Sequence, residues 1–209
     1  MSHRRAISHL RRVDPRLSVI IDAVGNCTFA PAEHLAHFTA IARSIVFQQL
    51  SGKAATTIYN RFADLFPNGT PTATGLARLS DDQLRAVGLS RQKSGYLRDL
   101  ATRVISGEVP IDSLDQLSDD EIIAALVSVK GIGRWTAQMF LMFRLGRPDV
   151  LPDLDLGIQK GIQRAYRMRK LPTPKRVTAI GAKWAPYRTI ASWYLWRSLD
   201  AAAESRQGK

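Results

Sequence analysis

In residues 128–137, SVKGIGRWTA, two glycines two positions apart separate one apolar helical run from the next. A chain with this pattern must reverse direction between two helices within about four residues. Glycine suits such a turn because it reaches backbone angles that a Cβ disfavours, and because its missing side chain lets backbone approach backbone. A glycine cap ending the first helix would account for a lone Gly-x-Gly. Here Lys130 and Arg134 flank the glycines, and a second helix opens directly with Trp135-Thr136-Ala137. The free N–H groups and positive dipole end of that second helix form an anion site that needs no side-chain charge. A nucleic-acid phosphate fits it, through contacts that do not read base sequence.

The charge balance agrees. Lys and Arg number 30 against 18 acids, a formal net charge of +12, and such an excess most often serves a polyanionic partner. Cys27 is the only cysteine of the 209 residues, so the chain can form no internal disulfide, cysteine-ligated iron–sulfur cluster or zinc finger. A reducing, cytoplasmic setting fits, on the bacterial nucleoid when DNA is bound. No stretch approaches the roughly 20 apolar residues of a membrane helix, and no membrane partner is expected. The basic start, MSHRRAISHLRRV, lacks a secretory pattern. Its Ile7, Leu10 and Val13 suit a docked first helix as well as a transit segment.

The rest of the chain reads as helices joined by short turns, an all-α fold of two helical lobes. The helical spacing runs through 32–50 and again from Gly52 toward Phe66, with Ser51 as the expected cap. Two passages open alike, LSDDQ from Leu79 and LSDDE from Leu117, each placing Gln83 or Glu121 three residues after a serine. That is the capping-box pattern of a helix start. After Gly146 a proline-bearing loop leads to helices near 156–168, 171–184 and 185–204. One catalytic unit over 1–209 is expected, with approximate lobes 45–147 and 1–44 plus 148–209 and the working cleft between them.

Several segments together resemble the helix–hairpin–helix DNA glycosylases, most closely the 3-methyladenine DNA glycosylase II branch. They are SIVFQQLSGKAA at 44–55, GLSRQKSGYLRDLA at 88–101, SVKGIGRWTAQMF at 128–140, LPDLDLGI at 151–158 and WAPYRTIASWYLWR at 184–197. The resemblance is to the compact form, without the N-terminal β domain of many bacterial members. It implies a DNA repair enzyme that flips out alkylated purines of the 3-methyladenine and 7-methylguanine type. The enzyme would hydrolyse the N-glycosidic bond and leave an abasic site. A glycosylase for a deaminated, etheno or oxidised base, or a non-catalytic damage-binding module, stays open.

The resemblance also assigns residues. It places the catalytic carboxylate at Asp155, with Asp153 as competitor and possible helix cap. A fixed carboxylate stabilises the positive charge that develops on the sugar and can orient water. Trp135 stands where strand-cutting relatives carry the lysine that forms a Schiff base, so water should be the nucleophile, without lyase activity. Trp135, Trp193 and Trp196 are expected to wall the base pocket, since stacking and cation–π attraction favour a cationic purine. Met139 and Phe47 join them; Met139 stands where relatives can carry an aromatic ring. Leu50, with Gln49 beside it, would plug the gap left by the flipped base, although a leucine between two helices can equally be core. Lys130, Gly131, Ile132, Gly133, Arg134 and Thr136 would contact DNA. No cofactor is required, a monovalent cation on the hairpin backbone being the one candidate. The expected partner is double-stranded DNA bearing alkylated bases, bound by a monomer. His34 and His37 have helical spacing but no evident third metal ligand.

Overall fold

A computed structural model of the protein describes residues 3–32 and 34–207. Its helices are α1 (Arg4–Val13), α2 (Pro15–Val24), α3 (His37–Phe47), α4 (Gly52–Ala63), α5 (Ala73–Ala77), α6 (Asp81–Ala86), α7 (Arg91–Ile105), α8 (Asp119–Val127), α9 (Arg134–Phe143), α10 (Leu156–Ala165), α11 (Pro174–Gly181) and α12 (Arg188–Gln207). Short 3-10 turns lie at 67–69, 111–116 and 182–184. The expected all-α class holds: the described residues contain no strand. Among them no helix is long and apolar enough to cross a membrane.

The chain divides into two compact units, residues 1–31 with 146–209, and residues 32–145. The expected boundary at 44/45 falls inside α3. That helix belongs wholly with the second unit, because it buries Phe38, Ile41, Ala42, Ile45 and Val46 while packing on α4, α7 and α9.

In the unit formed by the chain ends, α12 packs against both α2 and α10. Its core includes Leu10, Leu17, Ile21, Ile158, Ile162, Val177, Trp184, Tyr194 and Leu195. Helix α2 was not expected from sequence, yet its start has an evident cause. Asp14 leaves helical geometry and accepts hydrogen bonds from Arg16 N–H and Leu17 N–H, and Pro15 follows at the first helical position, where its missing N–H costs nothing.

The middle unit runs from α3 to α9. Both expected capping boxes form: Ser80 with Gln83 opens α6, and Ser118 with Glu121 opens α8. Ser51 occupies the cap position of α4, but its side chain makes no capping bond. The helix expected over 32–50 is shorter at both ends, from His37 to Phe47, and this frees Gln48, Gln49 and Leu50 to form a loop.

Candidate active site

The hairpin between α8 and α9 is built on two different glycines. Gly131 has φ +81°, and a Cβ there would stand 2.2 Å from the Tyr96 ring. The fold itself therefore demands this glycine. Gly133 is the cap residue of α9, with φ −96° and no side-chain capping bond. A Cβ added to it would meet no atom within 4 Å, so nothing inside the protein requires a glycine. Helix α9 thus presents an uncapped N-terminus behind a residue with open space around it. Arg134 is exposed and Thr136 half-buried at that helix start. Ile132 is corrected to a core role: it is buried, and its N–H donates to the Val129 carbonyl at 3.1 Å.

One face of α7 holds this turn in place. Lys93, Tyr96 and Asp99 follow one another at three-residue spacing, which puts them on the same side of the helix. Tyr96 packs against Gly131. The Asp99 carboxylate accepts from the Lys130 backbone N–H at 2.8 Å and from Arg103 at 3.0 Å. Burial raises the Asp99 carboxyl, but these hydrogen bonds and the Arg103 and Lys130 charges outweigh it and hold it below the usual carboxylate range. Lys130 is accordingly less available as a free charge than expected, since its ammonium lies 3.8 Å from Asp99.

The loop after α3 is tied to the same scaffold. Gln48 Nε2 donates to the Gly131 carbonyl at 2.8 Å. Lys93 Nζ donates to the Val46 carbonyl at 2.6 Å, satisfying a helix end that has no partner of its own. Burial lowers the Lys93 ammonium below its usual range. Between these ties Gln49 adopts φ +56°, a left-handed conformation that costs a non-glycine residue about 1–2 kcal/mol. Leu50 follows with 38% of its surface exposed. The core alternative for Leu50 is therefore excluded; the loop holds an apolar side chain outward.

Of the expected aromatic set in this unit, Trp135 is 44% exposed and Met139 half-buried, both on α9. Phe47 is corrected: the Arg43 guanidinium lies 3.9 Å from its ring centroid and Tyr59 meets its ring edge-on at 6.2 Å. With one face covered and one edge packed, it is part of the α3–α4 contact.

In the other unit Asp155 caps α10. Its Oδ1 accepts from Ile158 N–H at 2.8 Å and from the Trp196 indole N–H at 2.9 Å. Gly157 makes the second bond possible: a Cβ there would stand 2.8 Å from Trp196 Cδ1 and 2.9 Å from Asp155 Oδ1. Asp153, the expected competitor, does not cap the helix; its backbone carbonyl takes the Gln159 side chain at 3.1 Å, and its buried Oδ1 lacks a hydrogen-bond partner. The carboxylate at the helix start is that of Asp155, half-buried and held by two N–H donors. Trp193 is corrected: at 6% exposure it belongs to the core, edge-on to Tyr194 at 4.9 Å, with too little free surface to stack on a base.

Sequence reasoning passed over Gln48, Lys93, Tyr96, Asp99 and Gly157. The three-residue spacing on α7 was a visible sign of one working face. What that face grips is a long-range contact, which no local pattern announces.

The family model described as HhH-GPD superfamily base excision DNA repair protein matches residues 42–187. DNA-3-methyladenine glycosylase 1 of Schizosaccharomyces pombe is 37% identical over 203 residues, 95% of this chain and 88% of that protein. A solved structure of a Bacillus halodurans DNA-3-methyladenine glycosidase superposes with TM-score 0.85 at 36% identity, covering 98% of this chain and 92% of that one. The S. pombe 3-methyladenine DNA glycosylase in complex with abasic DNA gives TM-score 0.80 at 36% identity, over 92% and 95% of the two chains.

Proposed function

The chain belongs to the HhH-GPD superfamily of base excision DNA repair proteins, and from that premise we propose that it is a DNA-3-methyladenine glycosylase releasing alkylated purines by hydrolysis. The observation that carries the reading is Asp155, a half-buried carboxylate fixed at the start of α10 by Ile158 N–H and the Trp196 indole. Departure of the base leaves C1′ and the ring oxygen electron-poor. A carboxylate whose position is already set stabilises that charge without reorganising during the reaction, and it can orient or deprotonate the attacking water. A purine alkylated on a ring nitrogen already carries positive charge and leaves without prior protonation, so one carboxylate suffices.

Extrusion of the nucleotide costs a few kcal/mol. Leu50, held outward on the loop after α3, would fill the vacated space. The α9 N-terminus at Gly133 would grip a strand phosphate. The exposed Trp135 ring offers the extracted base a stacking surface that favours a cationic purine. Trp135 offers no amine, so the sugar is attacked by water and the strand stays intact.

Release of free base from methylated duplex DNA tests the reading. We expect 3-methyladenine and 7-methylguanine in solution, an unbroken abasic strand, and no adduct trapped by borohydride. Release of a deaminated or oxidised base alone would refute the substrate assignment, and a trapped adduct would refute hydrolysis.

A further inference from the structure

Helix α1 carries Arg4, Ser8 and Arg12 at four-residue spacing, with Arg5 and His9 one position round. These five and Tyr187 line a surface cavity of about 450 Å³. Among the described residues no carboxylate lies within 4.0 Å of Arg4, Arg5 or Arg12, whereas the adjacent Arg11 is paired with Asp22 at 2.6 Å. His9 Nε2 is buried without a hydrogen-bond partner, its ring edge-on to Tyr187 at 5.4 Å. The cavity therefore gathers polar groups of several kinds, and among the described residues no side-chain acceptor meets its arginines. The three arginines leave a local excess of positive charge at this cavity. An anion would relieve it, and the planar guanidinium fork matches phosphate oxygens in pairs.

We propose that this cavity binds a backbone phosphate of duplex DNA, a second phosphate site on the unit opposite in sequence to the hairpin. The site lies largely beyond the family match, which begins at residue 42. It rests on the reading of the protein as a DNA-binding enzyme, and the chemistry it needs is that of a phosphate group. The net charge of +12 favours a strand phosphate over a free one.

The test compares wild type with Arg4→Gln/Arg5→Gln/Arg12→Gln. Each phosphate contact contributes about 0.9 to the slope of log affinity against log salt. The triple variant should bind undamaged duplex with a slope smaller by about 0.9 and, at low salt, with roughly tenfold lower affinity. Release of 7-methylguanine by saturating enzyme should be unchanged, and the matching triple lysine variant should keep the slope. If the glutamine variant unfolds early, Arg12→Gln alone should still lower the slope, by less than the roughly 0.9 of the whole contact. An unchanged slope in the folded variant overturns the proposal. So does an unchanged slope combined with stabilisation of wild type alone by millimolar inorganic phosphate, which would make this a free-phosphate site. Wild type that binds duplex without salt dependence would overturn the DNA-binding reading and the site with it.

Discussion

Two aspartates in the same unit begin helices in nearly the same way and end in different surroundings. Asp14 caps α2 and Asp155 caps α10, and each also accepts an indole N–H, from Trp184 at 2.7 Å and from Trp196 at 2.9 Å. Asp14 then takes the Tyr166 hydroxyl and the Lys183 ammonium as well, and only 1% of it is exposed. It is a structural knot, tying α2 to Tyr166 and Trp184. Asp155 stays half-buried at a surface. A cap and an indole hold each carboxylate in place, and the two differ in what remains accessible: almost nothing of Asp14, part of Asp155.

The largest effect on turnover expected from breaking this contrast is on Asp155. Asp155→Asn keeps a helix cap but removes the charge that, in the proposed reaction, would meet the electron-poor sugar. Base release should fall about 10²–10³-fold, with duplex binding and the urea midpoint close to wild type. A variant that still releases base at the native rate would remove Asp155 from the chemistry.

Asp14→Ala should show the reverse pattern. Leaving Lys183 and the buried donors unpaired should cost about 3–5 kcal/mol of stability, seen in urea denaturation, while the surviving folded fraction keeps its turnover. Acid sharpens this. Burial raises the Asp14 carboxyl, but the bonds from Tyr166, Trp184 and Leu17 and the Lys183 charge bring it below its ordinary 3.8. A carboxylate lowered in the folded state contributes stability above its unfolded pKa and loses it as pH falls through the folded value. The wild type should therefore weaken below about pH 4, and Asp14→Ala should remove the Asp14 share of that loss. Asp99, Asp149 and Glu121, also lowered, keep the remainder.

The smallest pair of effects carries the same question to the hairpin glycines. Gly131→Ala meets both a left-handed φ and the Tyr96 ring, and should destabilise the fold by roughly 1–3 kcal/mol. Gly133→Ala meets nothing and should cost less than about 1 kcal/mol. It should nevertheless weaken binding to undamaged duplex roughly tenfold by crowding the α9 amides. Native affinity in Gly133→Ala would show that the strand is anchored elsewhere.

Much of this was legible in the sequence where the cause is local. The two capping boxes, the hairpin reversal and a capping aspartate ahead of Leu156-Gly157-Ile158 depend on neighbours within four residues. Asp14-Pro15 is an equally local signal, for the start of α2. The tryptophans were harder. Four of them have helical surroundings, and only packing separates Trp184 on Asp14, Trp193 in the core and Trp196 on Asp155. Phe47 turned toward Arg43 and Tyr59 for the same reason: a ring is placed by whatever surface closes over it.

By itself, then, the sequence determined an all-helical chain, a glycine hairpin in its middle and a charge suited to a polyanion, because periodicity, capping and net charge act over short range or over the whole molecule. The tertiary structure alone decided that Asp155 is braced by an indole forty-one residues away. It also decided that Gln48 and one face of α7 hold the hairpin and the Leu50 loop together. Those contacts join residues far apart in the chain, and they exist only once the core has chosen which faces meet.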